Sequence, residues 1–184
     1  MRKLIYHIAT TLDNFIAHKD GTADGFLFEG VFMTDFLESI KTYDAVLMGR
    51  KTYEAGFQYG LQKGQPAYIQ INPDLKNYIF SKTMDFEPKE KIEIIKHNEI
   101  NFIEQLKLQK GKDIWLCGGG TLAATLLDNE LIDEVIIKLN PIVFGEGIRL
   151  FGNSKKKINL MLNNCKTYEN GLALLSYNVD YKKN

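Results

Sequence analysis

At 184 residues, with 45% apolar and 25% charged side chains, the chain is long enough for one domain with a self-sufficient core and too apolar to stay disordered. Its 23 Lys and Arg are balanced by 23 Asp and Glu, so no global field points to nucleic acid or an anionic membrane as a partner. Cys117 and Cys165 lack a C-x-x-C spacing, and His7, His18 and His97 form no i, i+4 pair, which argues against a disulfide framework and leaves a metal site unsupported.

The chain opens with "KLIYHIAT" (3–10), β-branched and aromatic, and therefore a predicted strand. Tyr6, His7, Thr10 and Thr11 dilute this apolar stretch and no A-x-A cleavage pattern follows. No later segment approaches the ~18 apolar residues of a membrane span, so a cytoplasmic location is expected. In 32–44, Phe32, Phe36 and Ile40 recur at helical spacing with Met33 and Leu37 alongside. "DAVLMG" (44–49) is an unbroken apolar run, the pattern of a strand covered on both faces.

Further strands are expected at 77–82 and 91–96, a helix at 100–111 closing at Gly111, a strand at 113–117 and a helix at 121–128. Strand patterns then follow one another at 133–145, 158–163 and 172–181, the last preceded by a turn at Glu169, Asn170 and Gly171. Alternation early and consecutive strands late predict an α/β domain over 1–184 with a mixed sheet, parallel crossovers first and antiparallel additions at the C-terminal end.

Three consecutive glycines, Gly118, Gly119 and Gly120, separate the 113–117 strand from the following helix. Strand, glycines and helix N-terminus make an anion cradle, because the first N–H groups of a helix have no partner and bare backbone admits a phosphate. Thr121 adds a hydroxyl. Alone the triplet fits a tight turn equally well, since the G-x-G-x-x-G spacing is missing. The end of the 44–49 strand supplies a second signal: Gly49 is followed by Arg50, Lys51 and Thr52, two cations and a hydroxyl where α/β sheets bind ligands. Ser81 and Lys82 repeat the theme at the end of a third strand.

"AVLMGRKTYE", "NYIFSKT", "WLCGGGTLAATLL" and "DEVIIKLNPIVFGEG" together resemble successive segments of the dihydrofolate reductase fold. The resemblance is strongest to the reductase domain at the C-terminus of the bifunctional riboflavin-biosynthesis deaminase-reductase. It extends over roughly Met1 to Tyr181 and implies a three-layer, dihydrofolate reductase-like domain that uses NADPH. By that similarity Ala9, Asn14, Gly49, Arg50, Thr52, Ser81, Lys82, Gly118, Gly119, Gly120, Thr121 and Leu122 would line the cofactor, the glycines lying along its pyrophosphate. Clustered cations and hydroxyls agree with the 2′-phosphate that separates NADPH from NADH.

"TTLDNFIA" (10–17) is similar to the family segment beside nicotinamide and substrate, which makes Asp13 the candidate for substrate contact or proton handling. Asn14 stands where glycine is usual, and asparagine tolerates the left-handed conformation that such a turn needs. The carboxylate that binds pterin in dihydrofolate reductase falls on Met33. Asp35, two residues on, is turned by about 200° around the helix, so folate reduction is disfavoured. Met33, Leu37 and Arg149 are the candidate substrate-binding residues, Arg149 for a phosphate. No H-x-E followed by P-C-x-x-C occurs, so a deaminase half like that of the bifunctional relative is not expected within these residues. The resemblance implies a homodimer reducing a small heteroaromatic, imine or carbonyl substrate; a nucleotide-binding protein without turnover is the alternative.

Overall fold

Residues along the central strands send alternate side chains to two separate cores, as seen in a computed structural model that describes residues 1–87 and 89–181. Pro88 and the last three residues of the expected 1–184 domain lie outside the described residues.

The chain runs β1 (Leu4–Thr10), β2 (Phe15–Ala17), α1 (Val31–Ile40), β3 (Tyr43–Gly49) and α2 (Arg50–Ala55), followed by a 3-10 turn at Gly56–Tyr59. It continues with β4 (Lys76–Phe80), β5 (Ile92–Ile95), α3 (Glu99–Leu108), β6 (Asp113–Gly118), α4 (Gly120–Asp128) and β7 (Glu134–Leu139). β8 (Ile148–Arg149), β9 (Asn159–Thr167) and β10 (Ala173–Asp180) complete it. The main sheet has the order β5-β4-β3-β6-β1-β7-β10-β9, while β2 and β8 form a two-stranded ribbon. All pairings from β5 to β7 are parallel, and β10 and β9 add antiparallel at the edge. The expected mixed sheet of a dihydrofolate reductase-like domain is present.

Leu4 and Tyr6 of β1, Ala45 and Leu47 of β3, and Ile114 and Leu116 of β6 pack with Ile103 and Leu106 of α3 and Ala123, Leu126 and Leu127 of α4. The alternate residues, Ile5, Val46, Met48, Trp115 and Cys117, face the other way onto Phe36, Leu37 and Ile40 of α1 and Tyr53 of α2. One face is therefore the α3/α4 face and the other the α1/α2 face. Trp115 is fully buried and donates its indole N–H to the His7 carbonyl at 3.0 Å.

Two boundaries differ from the sequence expectation for identifiable reasons. The first helix ends at Ile40 rather than 44, because Asn72 Nδ2 donates to the carbonyls of Ile40 and Tyr43 and fixes the turn between them. The 133–145 strand stops at Leu139: buried Asn140 donates to the Thr10 and Lys138 carbonyls, and Pro141 cannot donate to a ladder. The final hairpin turns at 168–171, where Gly171 N–H bonds to the Tyr168 carbonyl. It is tied to α1 because the Asp35 carboxylate accepts from Tyr168 Oη at 2.6 Å and from Lys166 Nζ.

Candidate active site

Because β4, β3 and β6 are neighbours, the three strand ends singled out in the sequence arrive side by side. Gly49 is in register with Phe80, and Met48 with Gly118. Arg50, Lys51 and Thr52 form the first turn of α2, an element the sequence pattern did not reveal. Arg50 reaches across the β4 exit, its Nη1 3.4 Å from Thr83 Oγ1, and pairs along its own helix with Glu54 at 3.8 Å. Ser81 Oγ accepts from the N–H groups of Thr83 and Met84 and so shapes the same turn, with Lys82 exposed beside it.

The glycines divide by role. Gly118 has φ 133°, a backbone region that L side chains rarely adopt. A Cβ on Gly120 would overlap the Arg149 carbonyl oxygen, so the start of α4 is bare because the 149–152 backbone crosses it. Gly119 has an ordinary extended backbone as the N-cap of α4, and no side chain caps that helix. Its first N–H groups, which include those of Thr121 and Leu122, lack intrahelical partners. A Cβ at Gly119 would meet the Thr52 hydroxyl at 3.2 Å, and one at Gly49 would stand 3.7 Å from Gly119 N. Unfilled backbone, a hydroxyl and two cations therefore lie along one edge of the sheet. These residues fit a dinucleotide: bare backbone, a hydroxyl and cations face its phosphates, with the acidic Glu54 already paired to Arg50.

The β1 exit is ordered by its carboxylate. Asp13 Oδ1 accepts from Thr11 Oγ1 at 2.6 Å and Phe144 N–H at 3.2 Å, and Oδ2 accepts from Gly145 N–H at 2.7 Å. The Thr11 hydroxyl first, then the two loop amides, hold this acid below the usual carboxylate range. It stays ionised at neutral pH and clasps the 11–15 turn to the 141–147 loop. Asn14 adopts φ 65°, the left-handed conformation expected of it, and its carbonyl accepts from Leu150 N–H at 3.0 Å. Phe144 stacks between His18 and Phe26, with centroids 3.8 and 5.3 Å away. The loop after β7 and the segment before α1 thus form one wall.

The candidate substrate residues are not brought together. Met33 and Leu37 lie half-buried on α1, over the α1/α2 face. Arg149 lines a hollow of about 660 Å³ with Val135, Ile137 and Leu175 on the α3/α4 face, a hollow that reaches Asp13 and Asn14 at the β1 exit. Asp35 is engaged by the final hairpin, so it supplies no free carboxylate in place of Met33.

A sequence model of the RibD C-terminal domain matches residues 2–174. The chain belongs to the RibD C-terminal domain family. Among its relatives is the uncharacterized protein YyaP of Bacillus subtilis, 34% identical over 181 residues, which cover 96% of this chain and 94% of that one. A putative riboflavin biosynthesis protein from Shewanella sp. PV-4 superposes with a TM-score of 0.75 at 23% identity, covering 98% of this chain and 99% of the other. Dihydrofolate reductase from Enterococcus faecalis, solved with NADP(H), gives 0.65 at 14% identity, covering 97% and 96%. The two structures establish the shared fold.

Within this RibD-type domain the sequence reading missed a polar group beneath α1. His7 is buried against Phe36, with Nδ1 3.4 Å from Tyr43 Oη. Burial, helped by the charge of Lys138, lowers its pKa to about 4. Cys117 is buried, and burial pushes its thiol up to about 12. Lys138 is half-buried, and desolvation lowers its pKa to about 8. A lysine inside the apolar run "EVIIKL" was the available signal. Among the described residues no cluster of His, Cys, Asp and Glu could hold a metal ion, and no helix is long and apolar enough to cross a membrane.

Proposed function

We propose that the chain is an NADPH-dependent reductase that transfers hydride to a small heteroaromatic, imine or carbonyl compound. The observation that carries this reading is the convergence of Gly119, Thr52, Arg50 and Ser81 at three adjacent strand ends. The N–H groups opening α4 receive the pyrophosphate, with Thr52 as a hydroxyl partner. Arg50 and Lys82 meet the 2′-phosphate, where guanidinium geometry favours bidentate binding. The bound nucleotide supplies the hydride. The protein holds the acceptor beside it and excludes water.

Asp13 acts here as a positioning residue: ionised and fully engaged, it orders the turn that carries Asn14 toward the nicotinamide side. Ala9, at the end of β1, offers a small side chain for close approach of the ring. Nucleotide binding without turnover is the competing reading, and the apolar Met33 favours it, because that helix position carries no carboxylate to anchor a pterin. The protein works in the cytoplasm as a homodimer on this reading, with the exposed Leu160, Met161 and Leu162 of β9 as the partner surface. The deciding experiment is titration with NADPH and NADH, followed by a screen of carbonyl, imine and pyrimidine acceptors for NADPH oxidation. Saturable NADPH binding with turnover supports the reductase. Binding without turnover across the panel supports the competing reading, and no binding removes both.

A further inference from the structure

We propose that Lys138 makes the acceptor site selective for an anionic molecule, its ammonium pairing with a carboxylate or other oxyanion of the compound that is reduced. The inference rests on the reductase reading above and names the substrate class for that site.

Lys138 is in register with Ala9, as Ile136 is with His7, so it projects from the α1/α2 face at the same end of the sheet as the glycines. Its ammonium is held between two aromatic rings, 4.3 Å from the centroid of Phe32 and 5.0 Å from that of Phe28, and donates to the Leu27 carbonyl. An ammonium carries three N–H donors, so the Leu27 carbonyl leaves others available. Burial is the one cause of its lowered pKa, and among the described residues no carboxylate stands within ion-pair distance of it.

A half-buried cation without a counter-ion is costly, and a hydrophobic side chain of similar length would fill the same space without that penalty. The neighbouring polar group does not repay it: His7 is kept neutral partly by that charge. The helix residue next to Phe32 is Met33, apolar where folate reductases present a carboxylate. Where α1 meets the ends of β1 and β7, the described residues therefore place one cation between Phe28, Phe32 and the Leu27 carbonyl, with no carboxylate paired to it. That polarity suits an acceptor carrying negative charge and disfavours a protonated heterocycle. Phe28, half-exposed, covers the ammonium from outside and is placed to stack on an aromatic acid.

Benzoate and benzamide form a probe pair with the same ring and different charge. Calorimetry on the wild-type protein, with and without saturating NADP⁺, is expected to show benzoate bound about tenfold more tightly or better. Lys138→Met and Lys138→Gln should erase the preference, and Lys138→Arg should retain it. Lys110→Met, an exposed control just beyond the C-terminal end of α3, should leave it unchanged, with circular dichroism verifying that each variant folds. Equal affinity for the two probes, no benzoate binding at millimolar concentration, or a preference that survives in the folded neutral variants overturns the proposal. NADP⁺ titration in parallel separates the two readings. Intact nucleotide binding without benzoate preference removes only the anion site, whereas benzoate preference without nucleotide binding removes the reductase.

Discussion

The Thr52 hydroxyl oxygen lies 3.2 Å from the point that a Cβ on Gly119 would occupy, so α2 and α4 approach each other across a gap that only bare backbone keeps open. Gly119 has φ −90°, which any residue adopts. Gly119→Ala is therefore expected to fold normally and to bind NADPH about tenfold more weakly, with Gly119→Val weaker still. Fluorescence titration alongside thermal melting checks both halves of that expectation.

Gly120 behaves in the opposite way. Its added Cβ would meet the Arg149 carbonyl and the backbone of Gly152, neither of which is a flexible side-chain end. Gly120→Ala should lower folding stability by about 1–3 kcal/mol or more, read as a reduced urea midpoint. A variant with wild-type stability would show that the 149–152 segment is not packed on α4 as described.

Arg50 separates the two pyridine nucleotides. Its guanidinium lies at the β4 exit, where the 2′-phosphate is proposed to sit, and a hydrogen bond to a charged group contributes about 1.5–3 kcal/mol. Arg50→Ala should weaken NADPH by roughly ten- to a hundredfold while leaving NADH nearly unchanged. Parallel weakening of both nucleotides would move the 2′-phosphate elsewhere.

His7 makes stability depend on pH in a defined window. Its folded value of about 4 lies below the ordinary 6.5, so between these limits the unfolded chain takes up a proton that the native state refuses. Stability is complete above about 6.5 and falls as the pH drops toward 4, by on the order of 3 kcal/mol. Asp13 and Asp35, both held below the usual carboxylate range, release their contributions only at lower pH. Urea unfolding of wild type and His7→Gln across this range should show the slope in the first and its absence in the second.

Asp13 is expected to govern loop order. Asp13→Asn loses the ionised acceptor shared by the Thr11 hydroxyl and the amides of Phe144 and Gly145. Amide hydrogen exchange at Phe144 and Gly145 should speed up while the β1 and β6 amides keep their protection. Unchanged exchange in the loop would assign its order to the stacking of Phe144 instead.

The sheet could be read from the chain because its information is local: Leu4, Tyr6, Ile5 and the alternate residues of 44–49 announce burial on two faces. The mixed topology followed from the order of patterns. α2 escaped notice because "RKTYEA" buries only Tyr53 and lacks a repeating stripe. β2 and β8 exist because Phe15 and Ala17 find Arg149 and Ile148, a pairing between distant segments that no window contains. The same limit hid the site beneath α1. Lys138 acquires its character from Phe28, Phe32 and Leu27, and Arg149 was separated from Met33 and Leu37 by the thickness of the sheet.

Asp35 gives α1 a mechanical handle. Tethered through Lys166 and Tyr168 to the edge hairpin, the helix that roofs Lys138 and His7 is harnessed to β9, one of the two edge strands of the sheet. Prising that strand away therefore either breaks the Asp35 pairings or carries the roof along with it.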